Sequence, residues 1–141
     1  MTKGFSLLEM LIVVAIVGTL LAISFVAIMR FRAIAEINDV QQLVVQEINR
    51  ARSDVFRLGI DYTVSWTADK LIIEGKEKRE VDLSSSDNVK IGSGNDSVRY
   101  NAPYATISVS YKTIKLEAQK GINRRTAEVL IYGVTGKVFT H

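Results

Sequence analysis

Cysteine is absent from this 141-residue chain, and histidine and proline occur once each. Without thiols there is no disulfide framework and no thiolate metal site, so a globular part must be held by burial alone. The lone histidine, His141, stands at the last position, where a side chain is expected to fray. No His-rich metal spacing, nucleophile elbow or phosphate-cradling glycine loop occurs, and the chain reads as a protein without catalysis, cofactor or metal. The single proline, Pro103, sits in Asn101-Ala102-Pro103-Tyr104, a loop rather than a strand interior. Charge of one sign is scarce as well. Lys and Arg number 18 against 15 Asp and Glu, and the net +3 is no strong nucleic-acid signature.

The most telling scarcity is local: no charged residue falls between Met10 and Met29. A helical run of that length spans about 30 Å, the hydrocarbon core of a bilayer. Glu9 stands directly before it, in Gly4-Phe5-Ser6-Leu7-Leu8-Glu9. A carboxylate near that core costs roughly 2.5 kcal/mol or more, so it is expected to have a partner and a task. An acid merely resting at the membrane interface is the plainer alternative.

Two other readings of the amino terminus compete. A conventional secretory signal peptide would use Lys3, the apolar stretch and the small-x-small site Ala22-Ile23-Ser24. Such a stretch does not normally begin with a glutamate, however. Nothing breaks the helical pattern beyond Ser24 either, since Phe25 to Leu58 contains no Gly and no Pro. A plain single-pass anchor accounts for the length but not for Gly4 and Glu9 at their positions. Lys3 before the run and Arg30 and Arg32 after it set no orientation by charge alone.

Residues 5–58 read as one continuous helix. Its first half is apolar all round. In its second half Ile34, Ile37, Gln41, Val44, Ile48, Ala51 and Val55 recur at three- and four-residue steps, a stripe expected to lie against a sheet. Arg50, Asp54 and Arg57 are spaced for local ion pairs, and Gly59 suits the left-handed residue that ends a helix. From Ile60 the period becomes two, with Ile60, Tyr62, Val64 and Trp66 on one face and Asp61, Thr63 and Ser65 on the other. Further strands are predicted at Leu71–Glu74, Arg79–Leu83, Val89–Ile91, Thr106–Tyr111, Thr113–Ala118, Thr126–Tyr132 and Lys137–Thr140. Turn chemistry separates several of them, at Glu74-Gly75-Lys76, residues 84–88, residues 92–96 and Gly121-Ile122-Asn123. The expected fold is α+β: a long amino-terminal helix, membrane half plus amphipathic half, packed on antiparallel β-sheet. The roughly 80 residues beyond the helix suffice for one small domain.

The Gly4–Met29 stretch resembles the type III signal of type IV pilins and type II secretion pseudopilins. That resemblance implies a leader of residues 1–4, cut after Gly4 by a prepilin peptidase that then N-methylates Phe5. It implies a transmembrane or filament-core helix over 5–29, the amphipathic half over 30–58 and a β-rich globular domain over 59–141. Glu9 would pair with a neighbouring subunit's amino terminus during assembly. The implied partners are other pilin or pseudopilin subunits, the peptidase/methyltransferase and an inner-membrane assembly platform. The leader would lie in the cytoplasm and the globular domain outside it, anchored in the bacterial inner membrane and later in a pilus or pseudopilus. The junction Ala51-Arg52-Ser53 to Arg57-Leu58-Gly59, running into Tyr62–Trp66, and the closing stretch Val129–Val138 look like the GspH/FimT-type minor branch. Two departures stand out: many major pilins close a carboxy-terminal loop with a disulfide, and many carry a proline inside the apolar helix. Neither feature is present, and Gly18 alone remains to loosen the helix.

Basic residues gather late in the chain: Lys112, Lys115, Lys120, Arg124, Arg125 and Lys137. The plain reading is a solvated strand face and hairpin tip, with Glu117 and Glu128 interspersed. The alternative, implied by the FimT-type resemblance, is a DNA-binding minor pilin of a competence pilus. Lys120, Arg124, Arg125 and Lys137 would then be the candidate contacts, binding without sequence preference and with steep salt dependence. Tyr111 and Tyr132 offer stacking or simply sheet surface. The loop Gly92-Ser93-Gly94-Asn95-Asp96, with Asp87 nearby, has oxygen ligands for Ca²⁺ but not the EF-hand spacing, and a polar turn is the better reading.

Overall fold

The computed structural model describes residues 6–83, 89–120, 123–133 and 135–141. It also leaves aside the side chains of Ala33, Gln119, Lys120, Asn123 and Arg124. The chain divides into two compact units, one ending at Arg32 and one running from Ala33 to His141. A single helix, α1 (Leu7–Leu58), supplies residues to both. In the first unit the described side chains are exposed throughout.

The second unit is α+β, with the later half of α1 packed on two antiparallel sheets. One sheet runs in the order β3 (Arg79–Asp82), β2 (Lys70–Glu74), β1 (Tyr62–Trp66), β5 (Asp96–Asn101), β6 (Thr106–Ile107). The other runs β4 (Val89–Ile91), β7 (Tyr111–Lys120), β8 (Asn123–Tyr132), β9 (Val138–Thr140). One continuous core joins the helix to both. From α1 it takes Ile37, Val40, Val44, Ile48, Ala51 and Val55; from the first sheet Val64, Trp66, Leu71, Ile73 and Tyr100; from the second Ile114, Leu116, Val129 and Ile131. Val44, Ile48 and Val55 have no exposed surface, and each such burial is worth about 1.5–3 kcal/mol.

The helix stripe differs from the sequence expectation at three positions. Val40 is buried, while Ile34 is 38% exposed and Gln41 is half-buried. At about 100° per residue Val40 lies nearer the centre of the stripe than either of the other two. Gln41 has a different use: its side-chain amide donates to the Glu128 carbonyl on β8 at 3.0 Å. The helix ends as expected. Gly59 adopts a φ of +66° and its N–H donates to Val55 O at 2.9 Å, the left-handed cap that glycine makes without steric cost.

Strand β1 shows the expected alternation, with Tyr62, Val64 and Trp66 buried, but Ile60 lies before the strand and is 37% exposed. The predicted strands over 71–74, 79–83, 89–91, 113–118, 126–132 and 137–140 are present with shifted ends. Thr106–Tyr111 is not one strand. Only Thr106 and Ile107 pair before the chain bends, and Tyr111 opens β7 instead. The strand missed altogether is β5, which pairs with β1 over Tyr62↔Tyr100, Val64↔Val98 and Trp66↔Asp96. Its polar residues Asp96, Ser97, Arg99 and Asn101 mask the alternation of Val98 and Tyr100. His141 does not fray: its N–H donates to Glu128 O at 3.0 Å and its carbonyl accepts from Glu128 N at 3.1 Å, extending the β8–β9 ladder. Residues 84–88, Gly121 and Ile122, read as turns, lie outside the described residues, and Asp87, weighed beside the 92–96 turn as an oxygen ligand, is among them.

Backbone bonds stitch the two sheets together. Ile107 N–H donates to Gly133 O at 2.9 Å and Gly133 N–H to Ser110 O at 2.9 Å. A Cβ at Gly133 would run into the Val109 carbonyl oxygen, so glycine is required by close backbone approach. Ile91 N–H donates to Ala68 O at 2.8 Å at another corner.

Candidate functional site

The amino-terminal segment is built from the start of α1. Ser6 precedes the first helical residue, and its hydroxyl oxygen accepts the Glu9 N–H at 3.3 Å. Its carbonyl accepts Glu9 N–H at 3.1 Å and Met10 N–H at 3.2 Å. Ser6 is therefore an N-cap, satisfying donors that a helix start leaves orphaned. The Ser6-x-x-Glu9 spacing is itself a sequence signal for such a cap. Glu9 consequently sits in the first turn of α1, where the positive end of the helix dipole favours a carboxylate. Its carboxylate has no hydrogen-bond or ion-pair partner among the described residues.

Beyond Glu9 the helix presents apolar side chains in every direction: Leu11 is 62% exposed, Ile23 70% and Phe25 62%. A contiguous apolar surface of this kind calls for lipid or protein around it. The polar side chains within it are satisfied internally, with the Thr19 hydroxyl donating to Ile16 O at 2.8 Å and the Ser24 hydroxyl to Leu20 O at 2.8 Å. In hydrocarbon that internal satisfaction is a requirement. By length and composition this helix is able to cross a membrane.

With that segment in view, comparison with protein families matches residues 1–25 to the prokaryotic N-terminal methylation motif. The chain carries a type IV pilin-like amino terminus. No curated protein and no solved structure matches the chain. The methylation motif covers Gly4, Phe5 and Glu9; Gly4 and Phe5 lie outside the described residues. The motif occurs here together with the long helix packed on antiparallel sheet, a pilin-like α+β architecture.

The late basic residues are sorted by the fold. Lys112, on β7, forms an ion pair with Asp96 of β5 and so ties one sheet to the other. That bond and the Ser97 N–H hold the Asp96 carboxyl below its ordinary range. Lys115 pairs with Glu128 across β7–β8 at 3.2 Å. Arg125 and Lys137 are exposed. Register places Arg125 opposite Ala118, Arg124 opposite Gln119 and Lys120 opposite Asn123, so Lys120, Arg124 and Arg125 share one hairpin tip; the side chains of Lys120 and Arg124 lie outside those described. Lys137 is at the other end of β8, where its carbonyl accepts the Tyr132 N–H. At about 3.4 Å per residue the two ends are some 24 Å apart. The four candidate contacts therefore do not form a single cluster. Among the described residues no group of three or more His, Cys, Asp or Glu converges on one point.

Proposed function

We propose that the chain is a structural subunit of a type IV pilus or of a type II secretion pseudopilus, on the minor branch resembling GspH/FimT. In this reading residues 1–4 are a leader, cut after Gly4; Phe5 becomes the N-methylated terminus; and residues 5–29 anchor the subunit in the inner membrane before packing into the filament. The globular unit faces away from the cytoplasm. Partners are sibling subunits, the prepilin peptidase/methyltransferase and the inner-membrane assembly platform.

The observation that carries the reading is Glu9: a carboxylate with no partner in its own chain among the described residues, at the head of a charge-free membrane-length helix. A neighbouring subunit's terminal amine is the cation that neutralises it in the assembled state. An unpaired charge at low dielectric is strongly penalised, and pairing removes that penalty. Two measurements test this on the chain in its own cell. Terminal mass spectrometry should find a mature protein beginning at Phe5 with one added methyl group. Crosslinking with mass spectrometry at native expression should recover pilus subunits or secretion pseudopilins. A chain that keeps Met1–Gly4, or is cleaved near Ser24, overturns the proposal.

A second reading, DNA binding on a competence pilus, draws on the register that gathers Lys120, Arg124 and Arg125 at one hairpin tip. Combined charge reversal at Arg124 and Arg125 should then abolish DNA retention, and retention should fall steeply with salt. Salt-insensitive retention, or retention unchanged by the reversal, removes this reading.

A further inference from the structure

The last turns of α1, the start of β1 and the turn from β2 into β3 surround a cavity of about 350 Å³. Its charged lining is four cations, Arg50, Arg57, Lys76 and Arg79, against two carboxylates, Asp54 and Glu77. The carbonyl end of a helix opposes an anion with about half a negative charge. The lining's excess of two positive charges outweighs that, and the cavity is positive overall.

The positive charge is organised rather than scattered. Asp54, 16% exposed, accepts an Arg57 N–H on Oδ1 at 3.2 Å and an Arg79 N–H on Oδ2 at 3.1 Å. One carboxylate therefore holds two guanidiniums side by side, and each keeps four of its five N–H donors. Arg50 approaches Glu47 only to 3.8 Å, an ion pair without a hydrogen bond. Lys76 has no ion-pair partner among the described residues. Tyr62 is 4% exposed, yet its hydroxyl makes no hydrogen bond among the described residues and is not sealed from solvent. It opens instead on the cavity that the residue lines. A Cβ at Gly75 would strike the Tyr62 ring, so glycine lets the β2–β3 turn close over Tyr62 and bring Lys76 to the cavity.

We propose that this cavity binds a phosphate group, free or as the monoester of a small molecule. A phosphomonoester carries about −1.5 to −2 charges at neutral pH and offers three acceptor oxygens. A carboxylate carries one charge and has two oxygens. The excess of two positive charges in the lining matches the phosphate. Guanidinium forks bind such oxygens bidentately, and Asp54 already holds Arg57 and Arg79 together, which lowers the cost of ordering them around a ligand. The Tyr62 hydroxyl adds a neutral donor. The volume stands at the lower end of the range for small-molecule sites, room for a phosphate on a short carbon skeleton. None of the basic residues weighed as DNA contacts lines the cavity, and it lies wholly in the second unit. The proposal therefore needs neither the filament reading nor the DNA reading.

Calorimetric titration of the full chain in detergent tests this, with inorganic phosphate and glycerol 3-phosphate as probes and chloride holding the ionic strength constant. Saturable one-to-one binding is expected for at least one probe, with a Kd below about 1 mM; the tighter of the two assigns the free or the esterified form. Acetate should bind about tenfold more weakly. Arg57→Gln combined with Lys76→Gln, both exposed side chains, should weaken phosphate binding by about tenfold. Tyr62→Phe removes only the hydroxyl and should weaken it about threefold, which places the ligand inside the cavity rather than on the outer arginines. Lys137→Gln, outside the cavity, should leave binding unchanged. A Kd above about 1 mM for both probes, acetate bound as tightly as phosphate, parent affinity in the Arg57/Lys76 variant or in Tyr62→Phe, or an equal loss in Lys137→Gln would each overturn the proposal.

Discussion

Replacing Glu9 separates the helix-start role of this residue from the assembly role. Locally Glu9 occupies the first turn behind the Ser6 cap. There a carboxylate contributes about 0.3–1 kcal/mol through the helix dipole, so its loss changes helix stability by less than about sixfold in the equilibrium constant. Pairing with a neighbour's amine is a larger effect: two unit charges 4 Å apart attract by about 4 kcal/mol at an effective dielectric constant near 20. Even if desolvation removes half of that, about 2 kcal/mol remains, roughly a thirtyfold change in partition into the filament. Glu9→Gln keeps a side chain compatible with the capped helix start and removes only the charge; Glu9→Ala removes both. Both variants should be cleaved and inserted normally, and both should fall at least tenfold in the ratio of filament-bound to membrane-bound chain, measured by quantitative immunoblot of sheared filaments against membranes. Glu9→Asp, which keeps the charge on a shorter arm, should recover part of the loss. Wild-type stoichiometry for Glu9→Gln would refute the charge-pairing argument, and a loss confined to Glu9→Ala would assign Glu9 to the helix start alone.

The globular unit supplies three further tests, read in detergent by the fluorescence of Trp66, the single tryptophan, which is 1% exposed. Ile48→Ala deletes a side chain with no exposed surface and should cost about 3 kcal/mol in denaturant unfolding; a cost below 1 kcal/mol would mean that the helix does not seal this core. Gly133→Ala and Gly59→Ala should differ in kind. The first forces a backbone carbonyl to move and should cost about 3 kcal/mol, whereas the second meets open space at positive φ and should cost about 1–2 kcal/mol. Asp61 accepts the Ala102 N–H at 2.7 Å and an Arg99 N–H at 2.6 Å, and these two contacts, the Ala102 bond first, hold its carboxyl below the ordinary value of 3.8. A carboxyl depressed in the folded state contributes stability above its unfolded value and loses it as pH falls through the folded value. Asp61→Asn should therefore leave a shallower loss of stability below about pH 4 than the parent chain shows, and an unchanged acid limb would remove Asp61 from that account.

Local patterns carried most of the helix and the first strand. A charge-free run needs no distant residue to be recognised, because its length alone matches a bilayer. The stripe through Ile37, Val44, Ile48, Ala51 and Val55 and the alternation of Tyr62, Val64 and Trp66 are periods of the backbone itself. The end of the helix at Gly59 follows from the one residue that takes positive φ freely. The amino-terminal methylation motif was legible for the same reason: its meaning lies in adjacency along the chain. Ser6 was equally readable in the Ser-x-x-Glu spacing.

What the sequence by itself determined is thus every element whose hydrogen bonds close within a few residues, together with the amino-terminal motif. Tertiary structure decided the rest. β5 is a strand because β1, more than thirty residues earlier in the chain, presents it with partners at Tyr62, Val64 and Trp66. Its own polar residues did not announce it. The choice of Val40 over Ile34 for the buried stripe depends on where the sheets meet the helix. Lys112 is consumed by Asp96 across two sheets, and Lys137 is parted from Arg124 and Arg125 by the length of a strand. Such choices depend on contacts between residues far apart in sequence, and no local period encodes them.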